Sequence, residues 1–131
     1  MSFSKLAPIA LLLSIFAFAG CGSGDPVVNF SNSPIVAQSG KKNVEDVKRG
    51  IILSGSRIGW QMQDVKPGTL YATLFQRGRM AKVEINYTAD TYSITYRDSS
   101  NLEYNNGVIH GTYNKWVTHL HRNIRATLSK L

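Results

Sequence analysis

Apolar and polar residues alternate through the middle of this chain. From Thr69 to Arg77 the apolar positions are Leu70, Ala72 and Leu74; from Met80 to Tyr87 they are Ala81, Val83, Ile85 and Tyr87. From Thr91 to Arg97 they are Tyr92, Ile94 and Tyr96. A period of two is the mark of strands with one buried face. Gly78-Arg79 fits a two-residue type II′ turn with glycine first, a register that pairs Leu74 with Val83, Ala72 with Ile85 and Leu70 with Tyr87. A four-residue loop from Thr88 to Thr91 pairs Tyr87 with Tyr92, Ile85 with Ile94 and Val83 with Tyr96. Both turns deliver the apolar sets to one side. A slip of one residue would reverse a strand's faces, so their agreement predicts an antiparallel meander. Trp60 to Lys66, before Pro67-Gly68, predicts a further strand. Asn106-Gly107 predicts a small hairpin joining Leu102–Tyr104 to Val108–His110.

On either side the period lengthens to that of a helix. Asn43 is placed to cap one, with Glu45 and Asp46 in its first turn, where carboxylates meet the positive end of the dipole. Val44, Val47, Ile51, Gly55 and Ile58 follow its apolar stripe, and Gly59 ends it. Near the other end Tyr113, Trp116, Val117, Leu120, Ile124, Leu128 and Leu131 share one face, while Lys115, Thr118, Arg122, Arg125 and Ser129 lie opposite. The expected fold is a two-layer α+β domain over residues 43–131, an antiparallel meander with an N-terminal and a C-terminal helix packed on one face.

The same register defines the polar face of the sheet. Phe75, Lys82 and Arg97 are expected in one cross-strand row, flanked by Arg77, Met80, Tyr71 and Thr73. Aromatic rings beside cations can stack on and pair with an anionic sugar or phosphate, which makes Tyr71, Phe75, Lys82 and Arg97 candidate binding residues. The alternative is that the apolar residues preceding the first helix, or the strand from Trp60 to Lys66, cover Tyr71 and Phe75.

Upstream of the domain the pattern is different again. Lys5 precedes an uncharged, largely apolar run of 15 residues from Leu6 to Gly20. That is short of the roughly 20 residues a membrane-spanning helix needs and fits a secretory signal over residues 1–20. Residues 21–42 are rich in Gly, Ser, Asn and Pro, the composition of a flexible linker; Val27, Val28, Phe30, Ile35 and Val36 are too apolar for spacer alone. Without residues 1–20 the chain keeps 14 Lys+Arg against 8 Asp+Glu. In an exported protein such an excess points to an envelope protein, cell-wall polymer or anionic lipid rather than to nucleic acid.

The chain has one cysteine, Cys21, so no disulfide can form within it. Ala19-Gly20-Cys21 resembles the lipobox of bacterial lipoproteins, in which small residues precede a cysteine that is acylated and becomes the new N-terminus. The resemblance departs at Phe18, where the family usually carries Leu. Ala17-Phe18-Ala19 is a rival A-x-A cut that would leave a free thiol. Gly22 is not the aspartate associated with inner-membrane retention, so the resemblance implies an outer-membrane lipoprotein facing the periplasm.

Catalytic signals are weak. His119 and His121 stand two apart on a helix, too far round it to share a ligand, and are expected as solvated flanks. Glu103 is expected opposite His110, which would favour the charged imidazole. Asp98-Ser99-Ser100-Asn101 lacks a nucleophile-elbow context and reads as a turn cluster after a strand. Neither a metal-ligand cluster nor a cofactor fingerprint is present, and the expectation is a non-enzymatic module without cofactor or metal. The run from Tyr92 to Tyr104, with Ile109-His110 and Tyr113-Asn114-Lys115-Trp116-Val117, resembles a family of small uncharacterised proteobacterial lipoproteins. With Trp60, Pro67-Gly68 and Val83 to Tyr87 the resemblance covers roughly residues 43–128. Tyr96, Ser99, Leu102, Tyr104, His110, Tyr113, Asn114 and Trp116 match the pattern. The resemblance implies an envelope lipoprotein and brings no activity. His110 and Asn114, being polar, are further candidate binding residues, and an envelope enzyme using His110 is the alternative reading.

Overall fold

The computed structural model describes residues 24–131. The signal run and Cys21 therefore lie outside the described residues. In chain order the elements are β1 (Asp25–Pro26), β2 (Phe30–Pro34), α1 (Val44–Arg57), β3 (Gln61–Lys66), β4 (Thr69–Gln76), β5 (Arg79–Tyr87), β6 (Thr91–Ser100), β7 (Val108–Ile109) and α2 (Gly111–Leu128). Five strands form an antiparallel sheet in the order β2-β6-β5-β4-β3, and β1 pairs with β7 beside it. Both helices pack on the sheet, giving the expected α+β architecture.

Alternation builds the sheet side of the core. Leu70, Ala72, Ala81, Val83, Ile85 and Ile94 are all inaccessible to solvent. They meet Val47 and Ile51 of α1 and Val117, Leu120, Ile124 and Leu128 of α2. Asn43 caps α1, its side chain accepting from Glu45 N–H at 2.8 Å, a contact worth about 1 kcal/mol. The helices run antiparallel and close together at Gly50, where a Cβ would lie 2.7 Å from Leu128 Cδ2. Ser54, buried in the same seam, donates to Gly50 O at 2.7 Å, so its hydroxyl is satisfied. Four positions of the expected stripes sit at their margins: Val44 is exposed, and Ile58, Trp116 and Leu131 are half-buried.

The second hairpin has the expected register, with Tyr87 opposite Tyr92, Ile85 opposite Ile94 and Val83 opposite Tyr96. The first does not. Its turn residues are Arg77 (φ 53°) and Gly78 (φ 76°), not Gly78-Arg79, and Leu74 faces Ala81, Ala72 faces Val83 and Leu70 faces Ile85. Positive φ at both residues is the type I′ geometry, whose twist suits right-handed strands. Relative to expectation each partner moves by two residues, an even step that leaves the buried face unchanged.

β6 continues through Asp98-Ser99-Ser100 instead of turning there, and its ladder breaks between Lys82 and Val83 so that Lys82 faces Asp98. Phe75 faces Met80. Phe75, Lys82 and Arg97 thus do not form one row: the altered turn shifts the first pair and the bulge shifts the second. The small hairpin is reduced to one bridge, Asn105–Val108, because positive φ at Glu103 (57°) takes the Leu102–Tyr104 arm out of extended geometry, and Val108–Ile109 pairs with Asp25–Pro26. That pairing, with β2 on the edge of β6, draws residues of the expected linker into the fold. Ile35 is buried, and its N–H donates to Asp90 O at 2.8 Å.

Candidate functional site

The face of the sheet away from the helices carries the sequence-derived candidates. Tyr71, Thr73 and Phe75 project there from β4, and Met80, Lys82 and Glu84 from β5. Lys82 Nζ lies over the Tyr71 ring at 4.8 Å from its centroid, and the Arg97 guanidinium carbon lies over it at 4.3 Å. Arg97 Nη1 also donates to Glu84 Oε1 at 3.3 Å. Tyr71 is therefore half-covered by its two cations, while Phe75 is 62% exposed. Neither β1 nor β2 crosses this face; β2 lies on the sheet edge beside β6. Glu84 pairs with Arg97, and Asp98 stands opposite Lys82 across the strands without an ion pair to it among the described residues, so the Lys82 ammonium remains available next to two aromatic surfaces. That arrangement can receive an anionic group while a ring or apolar edge rests on Phe75.

His110 and Asn114 have other occupations. His110 is the N-cap of α2: its Nδ1 accepts from Thr112 N–H at 3.1 Å and its own N–H donates to Leu102 O at 2.8 Å. The described residues hold no Glu103–His110 ion pair; Glu103 is exposed with φ 57°. The Asn114 side chain reads the backbone of the N-terminal segment like a strand partner. Its Oδ1 accepts from Val28 N–H at 3.0 Å and its Nδ2 donates to Pro26 O at 2.9 Å.

The remaining motif residues assemble one corner. Tyr96 stacks on Tyr104 at 4.2 Å, meets Tyr113 edge-on at 5.5 Å and hydrogen-bonds Ser99 Oγ at 2.8 Å. Burial pushes the Tyr113 phenol well above its usual range, and its hydroxyl has no partner among the described residues. Tyr96 rises for the same reason, with Ser99 opposing it. These residues fasten β6 and the following loop to α2, a structural task.

His121 is not a solvated flank. Its ring stacks on Phe30 at 3.9 Å and 11°, and Nδ1 lies 3.0 Å from the Tyr92 hydroxyl. Desolvation, then Arg125 and Arg122, hold the imidazole below its usual pKa, while burial pushes Tyr92 up to about 12. A cleft of about 250 Å³ opens beside the pair, lined by Ser33, Pro34, Val36 and Arg125 as well. The apolar residues upstream of α1 were the only signal for this cluster, since nothing in the sequence pairs Phe30 with a histidine 91 positions later. His119, by contrast, is exposed as expected.

A second cleft of about 410 Å³ follows the outer side of α2, lined by Asp25, Gly111, Asn114, Lys115, Thr118, His119 and Arg122. Among the described residues no helix is long and apolar enough to cross a membrane, and no three metal-ligating side chains converge. Comparison with family models, curated proteins and solved structures returns no match to this chain.

Proposed function

We propose that this chain is a lipid-anchored cell-envelope protein, acylated at Cys21 in the outer membrane's periplasmic leaflet, whose domain binds an anionic envelope partner without catalysing a reaction. The observation that carries the binding role is the uncovered sheet face. There Lys82 and Arg97 converge over Tyr71, and Phe75 stands exposed beside Met80. A cation and a ring held in fixed relation are prepaid in conformational entropy, which favours a ligand that uses both. The use of His110 as a helix cap weighs against the enzymatic alternative.

Affinity capture from envelope extracts tests this reading. The parent chain should retain an anionic partner, a wall polymer or an acidic protein surface, that Lys82→Ala and Phe75→Ala each release. Loss of one hot-spot contact of this kind costs about 2 kcal/mol, roughly thirtyfold in affinity. Identical capture by all three chains would reduce the strip to ordinary surface.

A further inference from the structure

Where the chain enters the fold says which side of the domain faces the bilayer. Asp25 is the first strand residue and lies against the start of α2; a Cβ on Gly111 would stand 2.9 Å from Asp25 Oδ2. Asn114 fixes the next residues through Pro26 and Val28. Only Gly22, Ser23 and Gly24 separate Cys21 from Asp25, and the four fully extended steps between them reach roughly 14 Å. The flexible spacer that residues 21–42 suggest by composition is therefore largely consumed by the fold. A lipid on Cys21 would hold the start of α2 against the headgroups.

The surface at that point is cationic. Lys115, His119 and Arg122 are exposed and fall at i, i+4 and i+7, one stripe opposite the buried face of Tyr113, Val117, Leu120, Ile124 and Leu128. α2 contains no Asp or Glu. Among the described residues the ion pairs are Lys42–Asp90, Lys48–Asp64, Arg49–Asp46 and Arg97–Glu84, so none involves a cation of α2. Asp25 is the one acid lining the cleft beside the stripe, and it faces the helix N-terminus, where a carboxylate is favourable in its own right.

We propose that the stripe Lys115–His119–Arg122 is a docking surface for an anionic phospholipid bilayer, laid down by the short connection to Cys21. The proposal rests on acylation of Cys21 as given above. It orients the whole domain: the helix layer lies on the membrane, and the Tyr71–Phe75 face of the sheet, on the opposite side, points away from it toward partners.

The test uses the acylated full-length chain in vesicles of phosphatidylethanolamine and phosphatidylglycerol. With Cys21 blocked by its lipid, a nitroxide can be placed singly through Thr118→Cys or Phe75→Cys, and its relaxation by a nickel-chelating lipid measured. The label at position 118 should relax several-fold faster than the label at 75. Lys115→Gln with Arg122→Gln should shrink the difference, each lost cation lowering the docking equilibrium roughly fivefold, and phosphatidylcholine vesicles should abolish it. Equal relaxation at both positions overturns the orientation, and a difference indifferent to both substitutions and to lipid charge overturns the docking stripe, since the tether alone would then set the orientation; both leave the anchor intact. A chain recovered with a free Cys21 thiol overturns the anchor itself, and the orientation with it.

Discussion

At the scale of single residues, His121 shows how a position on the polar side of a helix becomes structural. Phe30 covers one ring face, the Tyr92 hydroxyl engages Nδ1, and Arg125 and Arg122 add positive charge nearby. Burial first, then the two arginines, favour the neutral imidazole in the folded state. The unfolded chain takes up its proton near pH 6.5, so stability from this group is complete above that value and declines as pH falls through the lower folded pKa. Urea midpoints measured across this range should fall on acidification in the parent chain and fall less steeply in His121→Gln. Equal slopes would show that the environment of His121 does not couple to folding. His110 and Asn114 teach the complementary lesson. They stood out because they were polar and unexplained, and both are explained by backbone groups, Thr112 N–H for one and the Pro26 and Val28 backbone for the other. Such partners are invisible to a one-dimensional pattern when they come from a distant segment.

At the scale of elements, what was legible was what periodicity encodes. Both helices, the three central strands and their shared buried face follow from apolar spacing, and the turn at Thr88 to Thr91 fixed a register the structure shares. The turn at Arg77-Gly78 lies one residue earlier than expected because Gly78 fits the second position of a type I′ turn as well as the first of a type II′ turn; both suit the twist of the strands, and the chain selects the former. That selection puts Arg77 at φ 53°, a conformation that costs a side chain with Cβ about 1 kcal/mol and that asparagine tolerates better. Arg77→Asn should therefore raise unfolding stability by about 1 kcal/mol in urea titration. A turn centred on Gly78-Arg79 would predict no gain. β1 and β2 are not legible, and β7 is legible only as the second arm of the Asn106-Gly107 hairpin, without its partner in β1. They are short, two of them only two residues long, and their pairing depends on long-range partners: Asp25–Ile109, Phe30–Ile94 and the Asn114 side chain.

At the scale of the whole molecule, the two sides of the domain differ in kind. The helix side presents unpaired cations on α2 beside the point where the chain enters, and the sheet side presents cations paired with aromatic rings and a carboxylate. The sequence revealed the excess of positive charge but could not distribute it between the sides, since that required the sheet register, the bulge at Arg97 and the entry point at Asp25. A molecule moored through its N-terminal segment has a use for both sides, one toward a surface and one toward a partner. The proposed use of the two sides depends on a thioether forming at Cys21. Detergent phase partition of the mature protein, read with intact mass, tests it most directly. The parent chain should enter the detergent phase with Cys21 at its N-terminus and the mass of acyl chains added, and Cys21→Ser should remain in the aqueous phase. A parent chain found in the aqueous phase, its thiol free and titratable, would contradict it.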